Sequence, residues 1–149
     1  MRGGPVIGVI EVQTRGPGLT EITDRLPSVS GEGLLTLLVR HTSCSLLIQE
    51  NADAQVQADL QNWLHRFVPP SDDPSLSYLT HTYEGPDDMP AHIKAALLPV
   101  SLSIPVADGR PLLGTWQGVY LWEHRTRGRR REVAWHFLQG QGAGRPGGA

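Results

Sequence analysis

The chain has 149 residues, 39% of them hydrophobic and 19% charged, with a net charge near −2. That describes an ordinary folded domain: it is too apolar for disorder, and no apolar run approaches the roughly 18 residues of a spanning helix. The balance is uneven, with 7 Lys+Arg against 14 Asp+Glu in residues 1–124 and 6 Arg against one Glu in residues 125–149. Five of those arginines, Arg125, Arg127, Arg129, Arg130 and Arg131, fall within seven positions. They read either as an anion or nucleic-acid contact or as a solvated hairpin tip. The tip is favoured, because no aromatic residue interleaves them and a pI near 6.3 argues against a nucleic-acid partner.

From the N-terminus, "MRGGPVIGVIEVQ" lacks the apolar core and cleavage site of a secretory signal. With Cys44 as the single cysteine, unable to form an internal disulfide, a cytoplasmic location is expected. "VIGVIEVQ" (6–13) predicts a strand, "RGPG" a turn, and "LTEITDRL" (19–26) a second strand or an irregular return. "GLLTLLVRHTSCSLLIQE" (33–50) predicts two buried strand segments hinged at "RHTS". Ala52, Val56, Leu60, Trp63, Leu64 and Phe67 then recur at spacings of three and four. This predicts one face of a helix over 52–67, capped by Asn51 and stopped at Pro69-Pro70.

"HTYEGPDDMPAHIK" (81–94) crowds two histidines, three acids and the only lysine of the chain around a turn. Pro90 suits the first turn of a short helix that closes near Pro99, with Asp87 and Asp88 at its positive end. Either the acids are only caps and dipole partners, or they join His92 in holding a cation or a metal-bound diphosphate. Beyond it, "VSLSIPV", Asp108-Gly109 as a hairpin turn, "PLLGTWQGVYLWEH" and "EVAWHFLQG" predict further strands. Strands in sequence-local hairpins with segregated helices imply one α+β domain over 1–140. Its sheets are expected to be mostly antiparallel and sandwich-like, with one amphipathic and one short helix. A flexible Gly-rich tail is expected over 141–149. His65, His124 and His136 read as solvated or structural residues, and Cys44 as inert packing.

"HTSCSLLIQENAD" (41–53), "HTYEGPDDMPAHIKAALL" (81–98) and "IPVADGRPLLGTWQGVYLWEHR" (104–125) together resemble the YjbQ family, also labelled secondary thiamine-phosphate synthase. The resemblance covers about residues 5–140 and departs from the family's habit at Gln49 and Cys44, where Asn and Ala are frequent. It implies a β-rich domain that forms homotrimers and takes a small phosphorylated substrate, with no membrane partner. The implied activity joins hydroxymethylpyrimidine diphosphate to thiazole phosphate with release of pyrophosphate, as a main or a weak side activity. The alternative is a non-catalytic module that binds a metal or a phosphorylated metabolite.

By the same resemblance, His41, His92, Asp88 and Glu123 are the expected catalytic residues. Ser43, Asn51, Glu84, Lys94, Trp116 and Gln117 are the expected ligand contacts, with Glu50 beside them. His41, His81, His92 and Asp87 are the expected ligands of a divalent metal ion, magnesium or zinc.

Overall fold

The computed structural model describes residues 6–141, so all but the first residue of the expected Gly-rich tail lies outside the described residues. The two apolar runs on either side of "RHTS" form strands β3 (Gly33–Val39) and β4 (Cys44–Glu50), and the hinge sends them into different sheets. Together with β1 (Ile7–Gln13), β2 (Gly18–Glu21), β5 (Ser101–Ala107), β6 (Arg110–Pro111), β7 (Gln117–Glu123) and β8 (Arg130–Gln139), they build two antiparallel sheets. One sheet has five strands in the order β1-β8-β3-β5-β6, and the other has three in the order β2-β7-β4. The stretch over 19–26 is both things expected of it: β2, then a 3₁₀ turn at Thr23–Arg25.

The core lies between the sheets. Alternate residues of β1 and β3, among them Ile10, Val12, Leu35 and Leu37, meet Leu46, Val119 and Leu121 from the smaller sheet. Cys44 is part of this packing, and burial pushes its thiol up to about 12, which fits an inert core residue. Strand β7 is buried along six of its seven residues because helices cover its other side. Helices α1 (Ala54–Phe67) and α2 (Asp88–Leu97) close over Trp122 through Leu60, Leu64, Val68, Ile93 and Leu98.

Several expectations are corrected here. The cap of α1 is Asp53, whose carboxylate accepts from the Gln55 amide at 2.9 Å, rather than Asn51. Trp63 and Phe67 do not join the buried stripe: both are about 60% exposed and stack on each other with ring centroids 4.9 Å apart. Helix α2 starts two residues before Pro90, so Asp88 belongs to its first turn. The strands are not mainly local hairpins, since β1 pairs with β8 and β8 with β3; among the described residues only β5–β6 is a tight hairpin. Its turn is the expected one, with Asp108 and Gly109 at φ of 52° and 73°. "PLLGTWQGVYLWEH" divides into two-residue β6, a loop, and β7 in the other sheet. The arginine-rich segment is therefore no hairpin tip: it carries the chain across from one sheet to the other.

Candidate functional site

The start of α2 gathers the expected residues most tightly. Asp88 and His92 are four apart on the helix and so share a face. The loop ahead of the helix brings His81 to the same point, with Gly85 at φ 101° supplying the reversal. His81 Nε2 lies 2.7 Å and His92 Nε2 3.3 Å from the same Asp88 Oδ2. The three ligand atoms fall within 4.8 Å of one another, and Asp88 is buried while both imidazoles keep an open side. His92 Nδ1 donates to the Thr42 carbonyl at 3.0 Å, so the β3–β4 hinge sets the ring's orientation and leaves Nε2 aimed at the carboxylate. Glu84 stands at the rim, 3.4 Å from His81 Nε2 and mostly exposed. The ring of Tyr83 meets His81 edge-on at 4.7 Å.

Arg125, from the segment expected to be solvated, closes this cluster from behind. Its Nε donates to Asp87 Oδ2 and its Nη1 to Asp88 Oδ1, both at 2.8 Å. Asp87 also accepts from the Thr126 amide at 3.0 Å and the Thr126 hydroxyl at 3.2 Å. Burial pushes the Asp87 carboxyl up, but the Arg125 and Thr126 hydrogen bonds outweigh it and hold the group at about 2. Burial acts the same way on Asp88, where His81, Arg125 and His92 more than offset it and lower the carboxyl below its usual range. Asp87 is neither a helix cap by its side chain nor a member of the histidine cluster; Asp88 takes the place expected of it.

A second group sits at the neighbouring strand ends. Glu123 is fully buried, with Oε1 accepting from Thr14 Oγ1 at 2.7 Å and Arg131 Nε at 2.8 Å. Its Oε2 accepts from the Arg125 amide at 3.1 Å and from Arg131 Nη2. Arg131 Nη2 also donates to Ser43 Oγ at 2.8 Å. Glu123 and Ser43, expected to meet substrate, are thus held inside the protein by a buried guanidinium. His41 is outside the histidine cluster as well: its Nε2 accepts from the Glu132 amide at 3.1 Å, and burial, then Arg131, lowers its pKa. Lys94 is buried on the flank of α2, where desolvation lowers its pKa and Asp87 partly restores it.

The remaining expected contacts lie at the far end of the β4–β7 pair, where Glu50 faces Gln117 while Cys44 faces Glu123 at the near end. Seven residues of strand separate the two groups by about 20 Å. There Asn51 donates to Glu21 Oε2 at 3.1 Å, Gln117 Oε1 accepts from the Gly114 amide at 2.8 Å, and Trp116 is 64% exposed. Within one chain the expected site is therefore two sites.

Sequence reasoning missed Arg125, Arg131 and His124. A signal existed for Arg131: in "RREVAWHF" it shares the period-two face of Val133 and Phe137, which places a cation on the core side opposite a buried strand-end glutamate. No comparable signal marks Arg125.

Residues 9–140 match the family model described as "UPF0047 protein YjbQ-like". The chain belongs to the YjbQ family. It is 47% identical over 133 residues to a UPF0047 protein of Synechocystis sp., covering 86% of this chain and 88% of that one. It is 48% identical over 124 residues to UPF0047 protein YjbQ of Salmonella typhimurium, covering 81% and 85%. Among solved structures, the conserved hypothetical protein TT1486 of Thermus thermophilus superposes with a TM-score of 0.75 at 34% identity, covering 88% of this chain and 99% of that one. The protein of unknown function SSO2532 from Sulfolobus solfataricus, described as "YbjQ-like", shares the fold at 22% identity and a TM-score of 0.75, with 90% of this chain and 96% of that one covered. Among the described residues no helix is long and apolar enough to cross a membrane.

Proposed function

We propose that His81, Asp88 and His92 hold a divalent cation, and that this YjbQ family member uses the site to act on a small phosphorylated substrate. The observation that carries the reading is the convergence of two imidazole Nε2 atoms on one buried carboxylate oxygen, with one imidazole fixed by a backbone carbonyl. With Nδ1 of His92 donating to Thr42, its Nε2 meets a carboxylate oxygen and needs a proton or a cation between them. Two imidazoles and a carboxylate suit zinc better than magnesium, which prefers oxygen ligands. Zinc–ligand distances of roughly 2.0–2.2 Å put neighbouring donors of a tetrahedral site about 3.3 Å apart, the His92–Asp88 spacing, while the His81–Asp88 pair, hydrogen-bonded at 2.7 Å, opens by about 0.6 Å to share an ion. Arg125 orients Asp88 through its other oxygen, as the outer partners of metal sites do.

A cation bound there supplies charge that stabilises a departing phosphate or diphosphate group. The chain's own contribution is to fix the donors: α2 places Asp88 and His92, Arg125 neutralises the paired aspartates, and the Thr42 carbonyl holds the His92 ring. The reaction to test first is the one the family resemblance implies, joining hydroxymethylpyrimidine diphosphate and thiazole phosphate to give thiamine phosphate and pyrophosphate. Wild-type protein with Mg²⁺ or Zn²⁺ is expected to form thiamine phosphate, and folded His92→Ala to lose most of that rate, about tenfold or more. Equal rates for the two proteins remove the transferase reading.

A second reading, a non-catalytic module that binds a metal or a phosphorylated metabolite, is favoured by one observation. His41 and Glu123, two expected catalytic groups, are already engaged within the chain. It predicts cation or phosphate-ester binding with no turnover of either precursor.

A homotrimer belongs to the same proposal. Ile7, Val9, Leu34, Leu38 and Leu138 are exposed on the outer face of the five-stranded sheet, where the register aligns Val9 with Ala134 and Leu38. An apolar sheet face of this kind supports a subunit interface.

A further inference from the structure

Lys94 is only 7% exposed, and its ammonium makes no hydrogen bond or ion pair among the described residues. The acid whose charge reaches it, Asp87, is committed to Arg125 and Thr126. The stem of Lys94 is packed while its ammonium keeps an opening, so the space it faces matters. That space is a pocket of about 90 Å³ on the flank of α2, lined by Lys94, His124, Gln61, Thr126 and Asp87 and walled by rigid Pro70 and Pro90. A water needs roughly 10–15 Å³ on the same measure, so the pocket has room for several waters or one tetrahedral oxyanion.

Its free polar atoms are mostly donors. Gln61 spends its carbonyl oxygen on Trp122 Nε1 at 2.5 Å, which leaves its amide N–H groups available. His124 shares Nε2 with Ser45 Oγ at 2.8 Å and keeps its other ring nitrogen. The single carboxylate in the lining is already neutralised by a guanidinium. Along α2, Asp88 and His92 point to the cation cluster, whereas Asp87 and Lys94, seven residues apart, share a different face. The start of one helix therefore serves two sites.

We infer that this pocket binds the phosphoryl end of a small ligand, with Lys94 as the charge partner and Gln61 as a further donor. Lysine serves phosphate as a compact point charge, which fits a pocket this small. The inference rests on the proposed function only for the identity of the ligand as a phosphorylated small molecule; the oxyanion site itself requires no metal.

The test is calorimetric titration of the full chain, stripped of metal with EDTA, with inorganic phosphate, a short alkyl phosphomonoester and acetate. Wild type is expected to bind phosphate or the phosphomonoester at one site per chain. Lys94→Met is expected to bind at least tenfold more weakly. Gln61→Glu keeps the Trp122 contact and gives Lys94 an internal partner, so it should lose binding while its melting temperature holds or rises. Tighter binding of the phosphomonoester assigns the pocket to a substrate's phosphoryl group, and tighter binding of inorganic phosphate assigns it to the free anion. His92→Ala should bind phosphate as wild type does, which separates this site from the cation cluster. No phosphate binding by wild type, equal binding by both pocket variants, or acetate binding as tightly as phosphate would overturn the inference.

Discussion

Glu123 and His124 are consecutive buried polar residues handled in opposite ways. Glu123 stays charged: burial pushes its carboxyl up, but hydrogen bonds from Arg131 and Thr14 bring it below the ordinary glutamate range. Breaking such a pair leaves an unmatched buried charge, which costs about 3–5 kcal/mol. Arg131→Met should therefore lower the unfolding free energy measured in urea by that amount, whereas the double replacement of Arg131 and Glu123 by apolar residues should recover much of it. His124 stays neutral instead, because burial, followed by the charge of Lys94, lowers it from 6.5 to about 3. The unfolded chain binds that proton below about pH 6.5 and the folded chain does not until about pH 3. Stability is thus fully present above pH 6.5 and declines as pH falls toward 3, at about 1.4 kcal/mol per unit at most. Urea midpoints between pH 7 and 4 should fall steeply for wild type and more shallowly for His124→Asn; parallel curves would contradict the assignment. Asp87, held at about 2, adds stability that is present above its ordinary 3.8 and disappears below pH 2, so it steepens only the most acid part of the curve.

At the scale of elements, the hairpin at Asp108-Gly109 is readable in the sequence because its backbone requirement is local. Gly109 has φ 73°, and a Cβ there would lie 2.7 Å from the Val29 carbonyl oxygen. Gly109→Ala should destabilise the chain by about 1 kcal/mol or more, measured by thermal melting. The helices are readable as segments but not as faces. Spacing of three and four cannot rank two adjacent apolar stripes, and the one through Leu60, Leu64 and Val68 docks on Trp122 while Trp63 and Phe67 remain outside. The acid–histidine turn is legible as a cluster because His81, Asp88 and His92 are close in sequence. Its guard Arg125 lies 38 residues from Asp87, in a segment whose composition resembles a solvated tip. Charge patterning reads surfaces well and has no means of showing that an arginine turns inward.

At the scale of the molecule, the α+β sandwich follows from strand periodicity, but the order of the strands does not. β1 and β8 stand at opposite ends of the chain, and only the folded register shows Ile10 beside Val133. The same long-range arrangement splits the expected site residues between the two ends of the β4–β7 pair. For the proposed homotrimer, light scattering coupled to gel filtration should give three times the chain mass for wild type and a lower mass for Val9→Glu/Leu38→Glu; a wild-type monomer would contradict the assembly.

The proposed reaction turns on the cation site at the start of α2, and its most direct test is calorimetric titration of the metal-free chain with Zn²⁺ beside His92→Ala and Asp88→Asn. The expected result is one ion per wild-type chain, with affinity at least tenfold lower in each folded variant and no loss of phosphate binding in His92→Ala. Wild-type protein that binds no ion, or variants that bind as tightly as wild type, would contradict it.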